Sequence, residues 1–182
     1  KILEIKEMLG STYEILKQAD FNIDPIPETG KSFKENAIIK ARKVHEITGL
    51  TTIGDDSGLV VEALGGEPGI FSARYSGENA TDEENNRKLL QKLEESNIKN
   101  RKARFECIIA FIECEQPKKI YTFRGTWEGE ILLKQKGSRG FGYDPLFFDP
   151  KIGKSSAELE AKQKNKISHR AKALDGLKRH IL

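Results

Sequence analysis

Leu50-Thr51-Thr52-Ile53 leads directly into Gly54-Asp55-Asp56-Ser57-Gly58, two adjacent acids at the end of a short run with strand character. A strand sends successive side chains to opposite faces. Asp55 and Asp56 therefore cannot both enter one cleft unless the chain bends sharply, and Gly58 permits such a bend. The spacing predicts a short buried strand over Thr51 to Asp55, a turn, and a second strand over Leu59 to Ala63. Two readings then stand level. Adjacent carboxylates followed by Ser and Gly suit a metal or catalytic site. Asp also favours turns by accepting nearby backbone N–H groups, which would make this a polar corner.

Around that pair the pattern alternates between helix and strand. Lys1 to Leu9 carries apolar residues at 2, 3, 5, 8 and 9, a helical stripe. Tyr13 to Gln18 reads as a strand. Ser32 to Thr48 reads as a helix whose buried face is Ala37, Ile38, Ala41, Val44 and Ile47, with Gly49 ending it. Thr81-Asp82-Glu83-Glu84 has the capping-box pattern and opens a helix through Leu90 and Leu93. Arg104 to Glu115 and Ile120 to Trp127 read as long strands, and Glu128-Gly129 as a tight turn into a third over Glu130 to Lys134. Leu146 to Phe148 is a short strand, and Ser168 to Leu182 a final helix with Ala171, Leu174, Leu177 and Ile181 on one stripe. This order gives an α/β fold with a mixed sheet, in a single domain spanning 1–182.

The chain has 182 residues, enough for one large domain or two lobes sharing a core. Its formal net charge is only +3 and no long single-sign block occurs, which argues against a dedicated nucleic-acid binder. The basic excess gathers late, from Lys162 through His180, and is compatible with a small anionic ligand. No apolar stretch is long enough to span a bilayer, and no secretory signal pattern is present. Cys107 and Cys114 lie seven apart on one expected strand, hence on opposite faces; buried unpaired thiols are the expectation. A cytoplasmic protein fits these features.

Three further groups could carry chemistry. Ser32-x-x-Glu35 is a capping box in which Glu35 would bond back to the Ser32 N–H; alternatively Glu35 is a metal ligand at the edge of a cleft, joined by an acid of the Asp55/Asp56 pair, since Mg²⁺ needs few protein carboxylates. Gly137-Ser138-Arg139-Gly140-Phe141-Gly142-Tyr143-Asp144-Pro145 fits neither a Walker loop nor a dinucleotide fingerprint. Its glycines let backbone approach a ligand, with Phe141 or Tyr143 available to stack on a flat ring. Ser168-His169-Arg170 places two basic groups in a first helical turn, against the helix dipole at a cost of about 0.3–1 kcal/mol each. That points to an anionic or acceptor-rich partner.

Taken together, Asp55-Asp56-Ser57-Gly58-Leu59, Gly65-Gly66-x-Pro68-Gly69-x-x-Ser72-Ala73-Arg74, Gly140-Phe141-Gly142-Tyr143-Asp144-Pro145 and Ile167-Ser168-His169-Arg170 closely resemble the inosine triphosphate pyrophosphatase family. The resemblance implies a two-lobed α/β fold with a long central mixed sheet flanked by helices, a homodimer, and Mg²⁺-dependent hydrolysis of purine nucleoside triphosphates such as ITP, dITP and XTP to monophosphate and pyrophosphate. It makes Asp56 the general base and a metal ligand, with Asp55 in support, and Glu35 the second metal ligand. It makes Lys1, Ser57, Phe141, Gly142, Tyr143, Asp144, Lys164, His169 and Arg170 contacts to the purine nucleoside triphosphate. No nucleic-acid or membrane partner is implied.

One departure accompanies the match. The family pattern opens with a strand and a Thr-x-Asn-x-x-Lys loop that grips phosphates, and Lys1-Ile2-Leu3-Glu4-Ile5 matches only its last Lys and the helix after it. The expectation is a natural chain extending roughly 8–15 residues further upstream, one strand and a short loop.

Overall fold

A computed structural model describes residues 2–9, 13–97 and 99–181. In chain order the elements are α1 (Ile2–Leu9), α2 (Phe33–Thr48), β1 (Thr52–Val61), α3 (Asp82–Glu95), β2 (Lys102–Ile112), β3 (Ile120–Ile131), β4 (Phe147–Asp149), β5 (Lys154–Ser155), α4 (Ala161–Ile167) and α5 (His169–Ile181). The strands form one five-stranded sheet in the order β1-β2-β3-β4-β5. β4 lies antiparallel to β3, with Ile131 opposite Phe147, and β5 antiparallel to β4. The α/β class expected from the sequence is the class observed.

Two compact units divide the chain. The first comprises Lys1–Asp56, Cys107–Gly125 and His169–Leu182; the second comprises Ser57–Glu106 and Thr126–Ser168.

In the first unit, α2 starts at the cap supplied by Ser32, whose Oγ accepts the Glu35 N–H, and ends where Gly49 turns left-handed with φ 68°. Its buried residues are Phe33, Asn36, Ala37 and Ala41. Ile47, expected on that face, is exposed. α2 lies so close to β1 that a Cβ on Gly54 would stand 2.2 Å from the Ala37 carbonyl oxygen. The same device recurs at Gly125, where a Cβ would come 2.0 Å from the carbonyl oxygen of His169 in α5. Cys107, Ile109, Phe111, Ala173, Leu174 and Leu177 form this unit's core, and Ile5, Ile53, Tyr121, Phe123 and Ile181 pack against it.

In the second unit, Leu59, Val61, Leu89, Leu93, Phe105, Trp127, Leu146 and Phe147 are the centre of the core. Phe105 and Phe147 pack with ring centroids 4.4 Å apart and planes tilted by 42°. The capping box of α3 forms as expected, with Thr81 Oγ1 accepting from the Glu84 N–H and the Thr81 N–H donating to the Glu84 carboxylate.

Four further expectations fail. The chain does not turn at Gly58: β1 continues through Asp55, Asp56, Ser57 and Gly58 to Val61. Nor does it turn at Glu128-Gly129, since β3 runs unbroken to Ile131. Gly129 serves close packing instead, because a Cβ there would meet the Phe148 carbonyl oxygen at 2.5 Å. Residues 13–17 form no strand, and a 3₁₀ turn follows at Gln18–Phe21. Cys107 is buried as expected, but Cys114 falls beyond the end of β2 and is exposed.

The Gly54 contact gives a direct test. Gly54→Ala is expected to lower unfolding free energy by about 3 kcal/mol, because backbone rather than a flexible side chain must give way. Urea unfolding measures it; a loss below about 0.5 kcal/mol would show that α2 does not lie against β1 this closely.

Candidate active site

β1 separates the two acids, as an unbent strand must. Asp55 follows Ile53 toward the core formed with α5, and Asp56 follows Gly54 toward α2. Each acid then meets a different cation.

Asp55 meets Arg170, in the first turn of α5. Arg170 Nε lies 2.9 Å from Asp55 Oδ2 and Nη2 lies 3.3 Å from Oδ1, a two-pronged pair, while Nη1 reaches Glu4 Oε2 of α1 at 2.8 Å. Cys107 donates its thiol to the same Asp55 carboxylate at 3.3 Å. Arg170 is only 2% exposed. Burial lowers its pKa, but Asp55 foremost, then Cys107 and Glu4, raise it further, so the net movement is upward and the guanidinium stays charged. The anionic partner that the sequence demanded for Arg170 is thus supplied by the protein itself. His169 is buried next to it.

Asp56 meets Lys40, one turn beyond Asn36 on α2. Lys40 Nζ lies 2.7 Å from Asp56 Oδ1 and 2.5 Å from Glu28 Oε1, and it also donates to the Asp55 carbonyl oxygen at 3.2 Å. The other carboxylate oxygen, Asp56 Oδ2, is buried without a hydrogen-bond partner, as is Nδ2 of neighbouring Asn36. Burial pushes the Asp56 carboxyl above the ordinary carboxylate range and the Glu28 charge adds to the rise, while Lys40 foremost and the nearby Asn36 amide pull it part of the way back. For Lys40 burial pulls downward, yet its bonds to Asp56 and Glu28 leave it above the ordinary lysine value. Among the described residues, Glu28 and Lys40 are therefore the charged neighbours of Asp56.

Glu35 is placed otherwise. Its backbone N–H donates to Ser32 Oγ at 3.2 Å, and its exposed carboxylate accepts from the Lys31 N–H at 2.7 Å rather than from Ser32. The structure brings Glu28 to Asp56 and leaves Glu35 bonded to the loop before α2. Lys1 lies outside the described residues. Ser57 sits half-buried in β1.

The second unit holds the glycine-rich segment, and here the two aromatic candidates part. Tyr143 is in the core, its hydroxyl donating to the Ser72 carbonyl oxygen at 2.9 Å. Burial pushes that hydroxyl's pKa up, helped by Tyr75 and Asp82. The expectation that either ring could stack is corrected: Phe141, 46% exposed, is the one available. Asp144 is buried and accepts from the Phe141 N–H at 2.9 Å and the Ser156 hydroxyl at 2.8 Å, with Lys164 closing an ion pair on it. Lys164 also lies 5.2 Å from the Phe141 ring centroid. Gly140 is obligatory, with φ 81° and a Cβ position 2.0 Å from Asp144 Oδ2.

Sequence reasoning missed Glu28, Lys40 and Ser156. Lys40 carried a signal, a cation on the side of α2 that also bears Ala37, Ala41 and Val44. Glu28, in the loop before α2, carried none.

The Ham1 family model matches residues 1–180. The dITP/XTP pyrophosphatase of Vibrio parahaemolyticus is 47% identical over 178 residues, 97% of this chain and 89% of that one. That of Coxiella burnetii is 45% identical over 178 residues, again 97% and 89%. Among solved structures, a HAM1 protein from Coxiella burnetii superposes with a TM-score of 0.91 at 44% identity, covering 99% of this chain and 92% of that one. The Staphylococcus aureus Ham1 protein gives 0.89 at 42% identity, with the same shares covered.

Removing one partner of a buried ion pair strands the other charge, at a typical cost of about 3–5 kcal/mol. Arg170→Ala is expected to destabilise the protein by that amount. Arg170→Lys should recover only part of it, since an ammonium cannot reproduce the fork on Asp55. Denaturant unfolding of both variants checks this; an Arg170→Ala protein as stable as the wild type would remove Arg170 from the framework.

Proposed function

This chain belongs to the Ham1 family, and on that premise we propose that it hydrolyses deaminated purine nucleoside triphosphates (ITP, dITP and XTP) to the monophosphate and pyrophosphate. The observation that carries the reading is the half-satisfied carboxylate of Asp56. One oxygen is anchored by Lys40, while the other is buried and unpartnered. An uncompensated buried acceptor costs stability, so its retention in a fold that saturates the adjacent Asp55 favours a functional use. Asp56 is assigned the role of general base toward the attacking water. Burial raises its pKa above the ordinary carboxylate range, which makes it a stronger proton acceptor than a solvated carboxylate.

The donor set fits Mg²⁺. Asp56 Oδ2 and the Glu28 carboxylate are hard oxygen ligands, few in number, leaving positions for water and phosphate. Asp56 and Glu28 would hold the ion, and its charge would polarise the triphosphate. Glu35, the ligand implied by family resemblance, fits less well because its carboxylate is committed to the Lys31 N–H. Lys40 keeps the two acids together and limits their mutual repulsion.

For the base, Phe141 is assigned the stacking contact, with Ser57 and His169 as further substrate contacts. Lys164 and Arg170 act through the carboxylates they hold, Asp144 and Asp55. Discrimination against adenine would follow from polar groups satisfied by a 6-keto purine and left unpaired by an amine. The same reading makes the protein a cytoplasmic homodimer, and light scattering in solution tests the dimer.

The decisive assay is pyrophosphate release from ITP, dITP, XTP, ATP and GTP, with and without Mg²⁺. Release selective for the first three and dependent on the metal is expected; tight ITP binding without release would make the protein a nucleotide sensor instead. Asp56→Asn should remain folded, since Lys40 keeps its pairing with Glu28, and lose roughly 10²–10⁴-fold in kcat. Glu28→Gln should raise the Mg²⁺ concentration needed for half-maximal activity, whereas Glu35→Gln should leave it unchanged. The opposite pattern would return the ligand role to Glu35.

A further inference from the structure

Gly142 is gripped on both sides by helix α3. Its N–H donates to Oδ2 of Asp82 at 2.6 Å, and its carbonyl oxygen accepts from Nδ2 of Asn86 at 2.8 Å. Asp82 and Asn86 are four residues apart, hence on one face of the helix. Gly142 has φ 61°, a left-handed conformation that glycine enters readily but leaves as readily. The two bonds act on the peptide planes before and after it, and so set the direction in which Phe141 leaves the chain. From the other side, Asp144 takes the Phe141 N–H and is itself held by Ser156 and Lys164.

Asp82 has no evident need to be there for the helix. α3 is already capped by Thr81 and Glu84, with Glu83 adding further negative charge to its first turn. Asp82 is exposed and contributes nothing to the core. What it does hold is the backbone N–H that follows the residue bearing the exposed ring.

We propose that Asp82 is a specificity-determining positioning residue, which through Gly142 fixes the attitude of the Phe141 ring toward the purine. This rests on the reading that Phe141 stacks on the base. With the carboxylate removed, Gly142 regains its alternatives and each binding event must order the loop again. The loss falls on substrate affinity and base selectivity. Turnover, which depends on Asp56, is left nearly intact.

The test is steady-state kinetics of the full chain with ITP and ATP for Asp82→Ala, Asp82→Asn and Phe141→Ala. Asp82→Ala is expected to raise KM for ITP roughly tenfold, the scale of one lost charge-assisted hydrogen bond. It should also lower the ITP-to-ATP ratio of kcat/KM while kcat stays within about twofold. Asp82→Asn keeps an oxygen acceptor for the Gly142 N–H and is expected to restore both values, although it drops the charge. A helix-dipole role would make Asn as poor as Ala, so Asn behaving like Ala overturns the proposal. A large KM effect in Phe141→Ala beside an unchanged KM in Asp82→Ala overturns the positioning role alone. An unchanged KM in Phe141→Ala overturns the base reading and the proposal with it.

Discussion

An ion pair between Asp55 of β1 and Arg170 of α5 ties together the parts on which the first unit depends. Arg170 sits where a cation opposes the helix dipole, a penalty of about 0.3–1 kcal/mol. Losing one partner of a buried pair costs about 3–5 kcal/mol, several times the dipole penalty, so once Asp55 is buried the cation opposite it is needed despite the dipole. Arg170 also reaches Glu4, which links α1 to α5 and β1 through one guanidinium. The fixed fork of arginine suits such a double contact, with one edge on Asp55 and the remaining nitrogen left for Glu4.

The difference between two neighbouring acids then follows from the strand's alternation. Asp55 receives Arg170 and the Cys107 thiol, and each of its oxygens has a donor. Asp56 receives Lys40 on one oxygen and makes no hydrogen bond with the other, although the Asn36 amide lies nearby. A buried carboxylate with a donor on each oxygen has little capacity left for chemistry, because both oxygens are engaged in holding the fold. Lys40 is shared with Glu28 and binds as a point charge, so it stabilises Asp56 without saturating it. The same residue type at consecutive positions thus becomes framework in one case and a candidate base in the other.

Local signals in the sequence were strong where structure is local. The caps Ser32 and Thr81, the stop at Gly49 and the stripe Ala171-Leu174-Leu177 all report bonds or contacts within a few residues, and these elements appear with nearly the expected bounds. Glycines misled where their purpose is long-range. Gly58 and Gly129 look like turns, yet both lie inside unbroken strands, and at Gly129 the missing Cβ makes room for Phe147 and Phe148. Likewise Arg170 showed by its cost to the helix that it needed an anion, but nothing local could say that the anion was Asp55, 115 positions away. Glu28 was invisible because no periodicity operates in its loop. For the base segment, glycine spacing marked the loop, but only packing separates buried Tyr143 from exposed Phe141.

Close approach at Gly54 explains why stability and chemistry share residues here. Because β1 presents no side chain at that position, α2 comes within backbone contact of it, and Ala37 and Ala41 are small enough to let it. Lys40 lies between those two alanines in sequence, so the helix that fills the glycine's space also carries the ammonium to Asp56. A larger residue at 54 would lift α2 away and lengthen the Lys40 bond. Asp56 would then be left buried with neither oxygen held, and a lone carboxylate in that environment protonates rather than stay charged. The glycine that opens the Gly54-Asp55-Asp56-Ser57-Gly58 segment is therefore part of the electrostatics of the acid two positions later.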